Sequence, residues 1–179
     1  RRGWSSNPIM SQIPVLDLFA GPGGLSEGFS AYRGIISFRV SLSIEKESAA
    51  HRTLELRSFV REFPQGELPE LYYRYIRGEL KDRSELFSAF PREAGAAQNV
   101  AWQATLGEIP LRNVIERVEA SIGSSRHWVL LGGPPCQAYS VAGRARMKGM
   151  RQFETDSRHT LYREYLKILA AFQPTTVSY

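Results

Sequence analysis

The stretch Ile13-Pro14-Val15-Leu16-Asp17-Leu18-Phe19-Ala20-Gly21-Pro22-Gly23-Gly24 decides the fold. A short apolar run breaks into a glycine-rich turn, and residues 25–32 after it have helical character, so the segment reads as strand, turn, helix. Glycines directly after a first strand let the backbone turn sharply and approach a ligand closely. About 20 positions further on stands Glu45, an acidic residue at the distance at which a carboxylate accepts hydrogen bonds from ribose hydroxyls. A nucleoside cofactor is implied. The dinucleotide fingerprint would place a third glycine at position 26, which is Ser26, so the pyrophosphate part of that reading loses support while a nucleoside without one keeps it. A plain glycine turn accounts for this segment equally well when it is taken alone.

Outward from the turn, Ile36, Phe38, Val40, Leu42 and Ile44 alternate with Ser37, Arg39, Ser41 and Ser43. That period of two predicts a strand with one apolar face. Helical sequence follows over 46–63, then a break at Pro64-Gln65-Gly66, a helix over 68–81 with Tyr72, Tyr73 and Tyr75, and further helix-like sequence to Thr105. The tyrosines, interleaved with Arg74 and Arg77, read either as a base-stacking surface or, more plainly, as a packed helix face. Residues 111–122 place Leu111, Val114, Ile115, Val118 and Ile122 on one helical face. A short buried strand over 127–131 then runs into Gly133-Pro134-Pro135-Cys136-Gln137, where two prolines end any central strand. Residues 137–156 read as a basic loop carrying Arg144, Arg146, Lys148 and Arg151, which either contacts phosphates or is simply solvated. A helix over 158–173 has Leu161, Tyr165, Ile168, Leu169 and Phe172 on its stripe, is stopped by Pro174, and leads to a last strand over 175–179. Strands alternating with helices predict an α/β fold, a parallel sheet with helices on both faces and ligands at the carboxyl ends of its strands.

Composition narrows the function classes. The 179 residues suit one domain, and 42% hydrophobic with 23% charged residues excludes a disordered chain or a coiled coil. The longest apolar run, 168–172, is far shorter than a bilayer-spanning helix, so no membrane partner is expected. Residues 1–12 read as a loose leader without a secretion signal. A net charge of +5 leans toward polyanionic partners. Cys136 is the single cysteine, which excludes an internal disulfide or cysteine-based zinc site and fits a reducing, cytoplasmic setting; no metal site is expected. A lone cysteine is most often an inert buried residue. Its place after Pro-Pro, at the carboxyl end of a predicted strand, favours a thiolate nucleophile instead. A thiol hydrolase would need a histidine base, and His51, His127 and His159 carry no local signature for one.

Together, the run from Asp17 to Gly24, Glu45 after its strand, and Gly133-Pro134-Pro135-Cys136-Gln137-Ala138-Tyr139-Ser140 resemble the first, second and fourth signature motifs of the cytosine-5 DNA methyltransferases. Asp156-Ser157-Arg158-His159-Thr160-Leu161-Tyr162 resembles the fifth, with His159 where that family usually has glycine. Gly107-Glu108-Ile109 resembles the third, with Glu108 where aspartate is commoner. The resemblance implies a Rossmann-like S-adenosylmethionine-dependent methyltransferase fold, incomplete, over residues 13–179, with a helical insertion at about 56–102. It implies methyl transfer from S-adenosylmethionine to C5 of cytosine in DNA, as in restriction–modification, with Cys136 as the catalytic nucleophile. Phe19, Gly21, Gly23, Gly24, Glu45, Glu108, Pro135 and Leu161 would surround the cofactor, and Gln137, Ser140 and Arg144 would face DNA. The family's Glu-Asn-Val motif, arginine motif, target-recognition region and closing motif are not in these residues. The expectation is therefore an N-terminal part of a catalytic domain, little active by itself, with the missing C-terminal half as a partner. The alternatives are a noncatalytic or split-enzyme subunit that binds cofactor or DNA, or a transfer RNA cytosine-5 methyltransferase. A cytoplasmic or nucleoid-associated location goes with any of them.

Overall fold

The structure is a computed structural model that describes residues 12–133 and 157–178, without the side chains of 157–160. In chain order the elements are β1 (Ile13–Leu18), α1 (Gly24–Ala31), β2 (Phe38–Glu45), α2 (Ser48–Arg61), α3 (Glu70–Ile76), α4 (Arg83–Ala89), α5 (Pro91–Val100), β3 (Ala101–Gln103), α6 (Leu111–Ile122), β4 (Val129–Gly132), α7 (Ser157–Phe172) and β5 (Thr176–Ser178). The strands form one sheet in the order β3-β2-β1-β4-β5, and every pairing is parallel. The expected doubly wound α/β arrangement is present. The chain leaves β1 toward β2 on one side and returns to β4 on the other, so the β1/β4 junction is the switch point of the topology.

The core explains the strand sequences. Leu16 and Leu18 of β1, Leu42 and Ile44 of β2 and Leu130 of β4 share a cluster with Val114 and Val118 of α6 and Tyr165 and Ile168 of α7. On the opposite face Val15, Val129 and Leu131 meet Phe29 of α1. Covering helices thus explain why β1 and β4 read as unbroken apolar runs. The alternating β2 sequence predicts a strand buried on one face only, and here the structure differs: an irregularity in the β1–β2 register, where Val15 pairs with Val40 and Leu16 with Leu42, leaves Phe38 packed with Val15 but Leu42 and Ile44 packed with Leu16, and Ser41 and Ser43 are buried as well. A serine is small and polar enough to look solvent-facing in sequence while fitting inside the fold.

The stretch after α2 departs most from expectation. Helical sequence over 68–81 yields only the two turns of α3, which ends before Gly78 at a positive φ of 75°. The helix-like run to Thr105 gives way to β3, an edge strand of three residues, too short to show a period of two. Around Phe59 of α2, the residues Leu80, Leu86, Ala94 and Ala97 build a second apolar cluster, with Phe59 stacked on Phe87 at 4.9 Å. Tyr72 and Tyr75 pack against that cluster, as the plainer reading of the tyrosines expects, and Tyr73 is the exposed one. Arg74 and Arg77 pair with Glu79 and Glu70. Among the described residues no helix is long and apolar enough to cross a membrane.

Candidate functional site

The glycine turn sits at the carboxyl end of β1 and is braced from below by α2. Gly23 has φ 87°, and a Cβ placed on it would lie 2.8 Å from Leu54 Cδ1. Only glycine meets both conditions without strain. Arg57 Nη1 donates to the Pro22 carbonyl at 3.0 Å, a second tie between α2 and the turn. Gly23→Ala is expected to lower stability by about 1–3 kcal/mol, through left-handed strain plus overpacking against Leu54. Urea unfolding at neutral pH checks this, and an unchanged midpoint would contradict it.

Glu45, the last residue of β2, connects the second strand to that turn. Its Oε2 accepts the Gly21 amide at 2.8 Å, and its Oε1 accepts the Glu47 amide at 2.7 Å. Glu47 in turn caps α2 by accepting the amides of Ala49 and Ala50. Gly21 takes φ 55°, which turns its N–H toward the neighbouring strand end. Each Glu45 oxygen keeps a further lone pair for an incoming donor. Phe19 has φ 56°, uncommon for an aromatic residue and worth about 1 kcal/mol or more of backbone strain. Such strain collects at ligand sites.

Phe19, Ile44, Glu45, Lys46, Ala104, Leu106, Gly133 and Leu161 line a cavity of about 150 Å³ at the β1/β4 switch point. The volume takes a planar heterocycle and falls short of the roughly 300 Å³ at which pockets for whole drug-sized ligands begin. Its lining suits such a ring, combining the apolar side chains of Phe19, Ile44, Leu106 and Leu161 with one carboxylate, Glu45. A larger depression of about 510 Å³, lined by Arg33, Arg39 and Arg61 among others, lies at the amino ends of β1 and β2, away from the glycine turn. The smaller cavity is the one that parallel α/β sheets use.

Beneath the turn lies Asp17, fully buried in β1. Burial pushes its pKa up to about 6; the Ser26 hydroxyl and amide and the Arg61 guanidinium pull the other way, and the Glu45 carboxylate adds to the rise. The Ser26 hydroxyl donates to the Gly23 carbonyl at 3.2 Å, and neither Asp17 oxygen closes a hydrogen bond among the described residues. A perturbed carboxyl next to a concave site is what functional sites concentrate.

Of the residues singled out in the sequence, Phe19, Glu45 and Leu161 meet in this one cavity, Gly21 is bonded to Glu45, and Gly23 and Gly24 open α1. Glu108 is exposed and does not line the cavity; Leu106, two residues earlier, does. Pro135, Cys136, Gln137, Ser140 and Arg144, and the basic loop, lie outside the described residues, as does the leader over 1–11. Lys46, Ala104 and Leu106 were not predicted. Lys46 follows from being next to Glu45, but Ala104 and Leu106 depend on β3, which the sequence does not announce. Among the described residues no group of three or more His, Cys, Asp or Glu is placed to hold a metal ion.

Comparison with known proteins adds to this geometry. Residues 97–178 match the family described as C-5 cytosine-specific DNA methylase. The chain is 31% identical over 176 residues to the type II methyltransferase M.Bpa9945I of Bacillus paralicheniformis, an alignment that covers 89% of the chain and 38% of that protein. It is 27% identical over 172 residues to the putative type II methyltransferase M.OihORF3336P of Oceanobacillus iheyensis, covering 91% of the chain and 27% of the relative. The chain thus spans well under half the length of either. No solved structure matches it.

Proposed function

We propose that the chain is part of a C-5 cytosine-specific DNA methylase, the family that residues 97–178 match, and that it forms the S-adenosylmethionine site and carries the nucleophile of an enzyme that methylates C5 of cytosine in DNA. The observation that carries the reading is the Glu45 carboxylate, fixed in the lining of the switch-point cavity by the Gly21 and Glu47 amides with acceptor capacity to spare. A ribose offers two hydroxyl donors to such a group. Phe19 and Leu161 are the apolar walls for an adenine ring, and the turn at Gly21, Gly23 and Gly24 admits the chain that follows the ribose. Pro135 and Glu108 complete the proposed cofactor set by resemblance. When bound, S-adenosylmethionine supplies the electrophilic methyl group.

The protein's own chemistry in this proposal begins at Cys136. Its thiolate would add to C6 of cytosine and make C5 nucleophilic toward the methyl group that S-adenosylmethionine would supply, the methyl carbon's bond to the sulfonium sulfur breaking as its bond to C5 forms. Water would then take the C5 proton as the C6–sulfur bond breaks, which regenerates the thiolate beside 5-methylcytosine. A stacked base hides C6, so the target nucleotide must be rotated out of the duplex at a cost of a few kcal/mol. Gln137, Ser140 and Arg144 are proposed to face the DNA and offset part of that cost.

Glu45→Ala is expected to weaken S-adenosylmethionine binding by about tenfold to a hundredfold, the worth of hydrogen bonds to a charged group. Isothermal titration measures it, with Glu45→Gln falling between because it keeps one acceptor. Equal affinity in all three proteins would remove the ribose assignment.

A further inference from the structure

We propose that the groove between α2, α4 and α5 is a seat for the sugar–phosphate backbone of duplex DNA alongside the target site, a role that rests on the DNA reading given above. The groove encloses about 840 Å³ and is lined by Arg52, Lys81 and Arg83, with Tyr75, Phe87 and Gln98 among its other walls. Its one acidic residue, Asp82, whose carboxylate caps α4 by accepting the Ser84 amide at 2.6 Å, stands against the three cations Arg52, Lys81 and Arg83. The cations therefore set the sign of the groove.

The basic residues are not equivalent. Arg83 is anchored, ion-paired with buried Glu55, donating to the Arg52 carbonyl at 3.1 Å and lying 5.2 Å from the Phe87 ring centroid. It fixes α4 against α2 and holds the walls apart. Arg52 and Lys81 are exposed; among the described residues the Arg52 side chain donates to the Ser48 hydroxyl, at 3.2 Å. A groove lined by two exposed cations together with serine and glutamine side chains suits a row of phosphates better than an acidic peptide, whose carboxylates are irregularly spaced.

Position supports the same partner. α2 starts three residues after Glu45, with Glu47 as its cap, and Arg52 lies about 6 Å further along the helix axis than Ser48. One residue of the groove, Arg52, thus lies about one helical turn along α2 from the start of the helix next to Glu45. A duplex lying over the carboxyl ends of the strands, with one base turned toward the cofactor cavity, brings its flanking backbone toward this residue.

The test compares the intact protein with an Arg52→Gln/Lys81→Gln double variant, using fluorescence anisotropy with a duplex oligonucleotide across a salt series. The expected result is a loss of about tenfold in affinity at moderate salt, uniform across sequences, and a log–log salt slope shallower by about two. S-adenosylmethionine affinity should not change, because neither residue lines the cofactor cavity. A double variant with the parent's affinity and slope overturns the groove and leaves the methyltransferase reading standing. A parent protein without salt-dependent duplex binding overturns the DNA reading, and the groove with it.

Discussion

Replacing Cys136 by alanine in the intact protein is expected to reduce methyl transfer to cytosine by on the order of 10³-fold or more, while S-adenosylmethionine binding stays within about twofold. The size of the effect follows from the substrate. C5 of cytosine is a weak nucleophile, and what makes it reactive in the proposed mechanism is the covalent bond from sulfur to C6. Without the thiolate no other group takes over that addition. Thiol chemistry suits the task, since among neutral side chains the thiol is the one most easily made anionic near pH 7. The position of the residue also fits: β4 ends at Gly132, Gly133 lines the cavity, and Cys136 follows three places later in sequence. Tritiated methyl transfer measures the rate. A duplex carrying 5-fluorocytosine gives a second readout, because fluorine at C5 cannot leave as a proton and the adduct persists on a denaturing gel. An adduct formed by Cys136→Ala would show that some other residue is the nucleophile.

The second large effect belongs to Asp17. Its folded-state pKa of about 6 lies above the ordinary aspartate value, with burial as the main cause. The native state therefore holds the proton more tightly than the unfolded chain does. Stability from this group is fully present below about pH 4, falls as pH rises through 6, and above that the buried carboxylate costs about 3 kcal/mol. Asp17→Asn removes the titration and keeps the shape. The variant should gain about 3 kcal/mol on the parent when the comparison moves from pH 4 to pH 8, read from urea unfolding at both values. A difference that is the same at both would mean that Asp17 does not titrate in this range.

The parts of the fold legible in sequence were those carried by long or doubly marked signals. β1 and its turn announced themselves by an apolar run followed by glycines, and α6 by five apolar residues on one face. Glu45 was legible because its distance from the turn is set by one helix and one strand of ordinary length. β3 was hidden, since three residues cannot display a period and Ala-Trp-Gln has no strong strand preference. Its absence from the sequence reading also concealed Ala104 and Leu106, which reach the cavity only because β3 pairs with the end of β2. Glu108 is a different case, proposed for the cofactor set by resemblance alone. A motif match in sequence drew attention to it, yet the tight bend at Gly107, with φ 94°, leaves Leu106 rather than Glu108 against the cavity. The burial of Ser41 and Ser43 goes with the irregular β1–β2 register, a long-range fact that no local window contains.

The central place of β1 bears on how the protein is made. One flank of β1 is satisfied early, by β2, whereas its other neighbour β4 is synthesised only after α2 through α6 have emerged. Until then a run of leucine and valine with free backbone donors and acceptors stays open on the growing polypeptide, in reach of other nascent chains. Late closure of this kind makes a protein dependent on chaperones and prone to clump when overproduced, so slower expression at low temperature should raise the soluble yield.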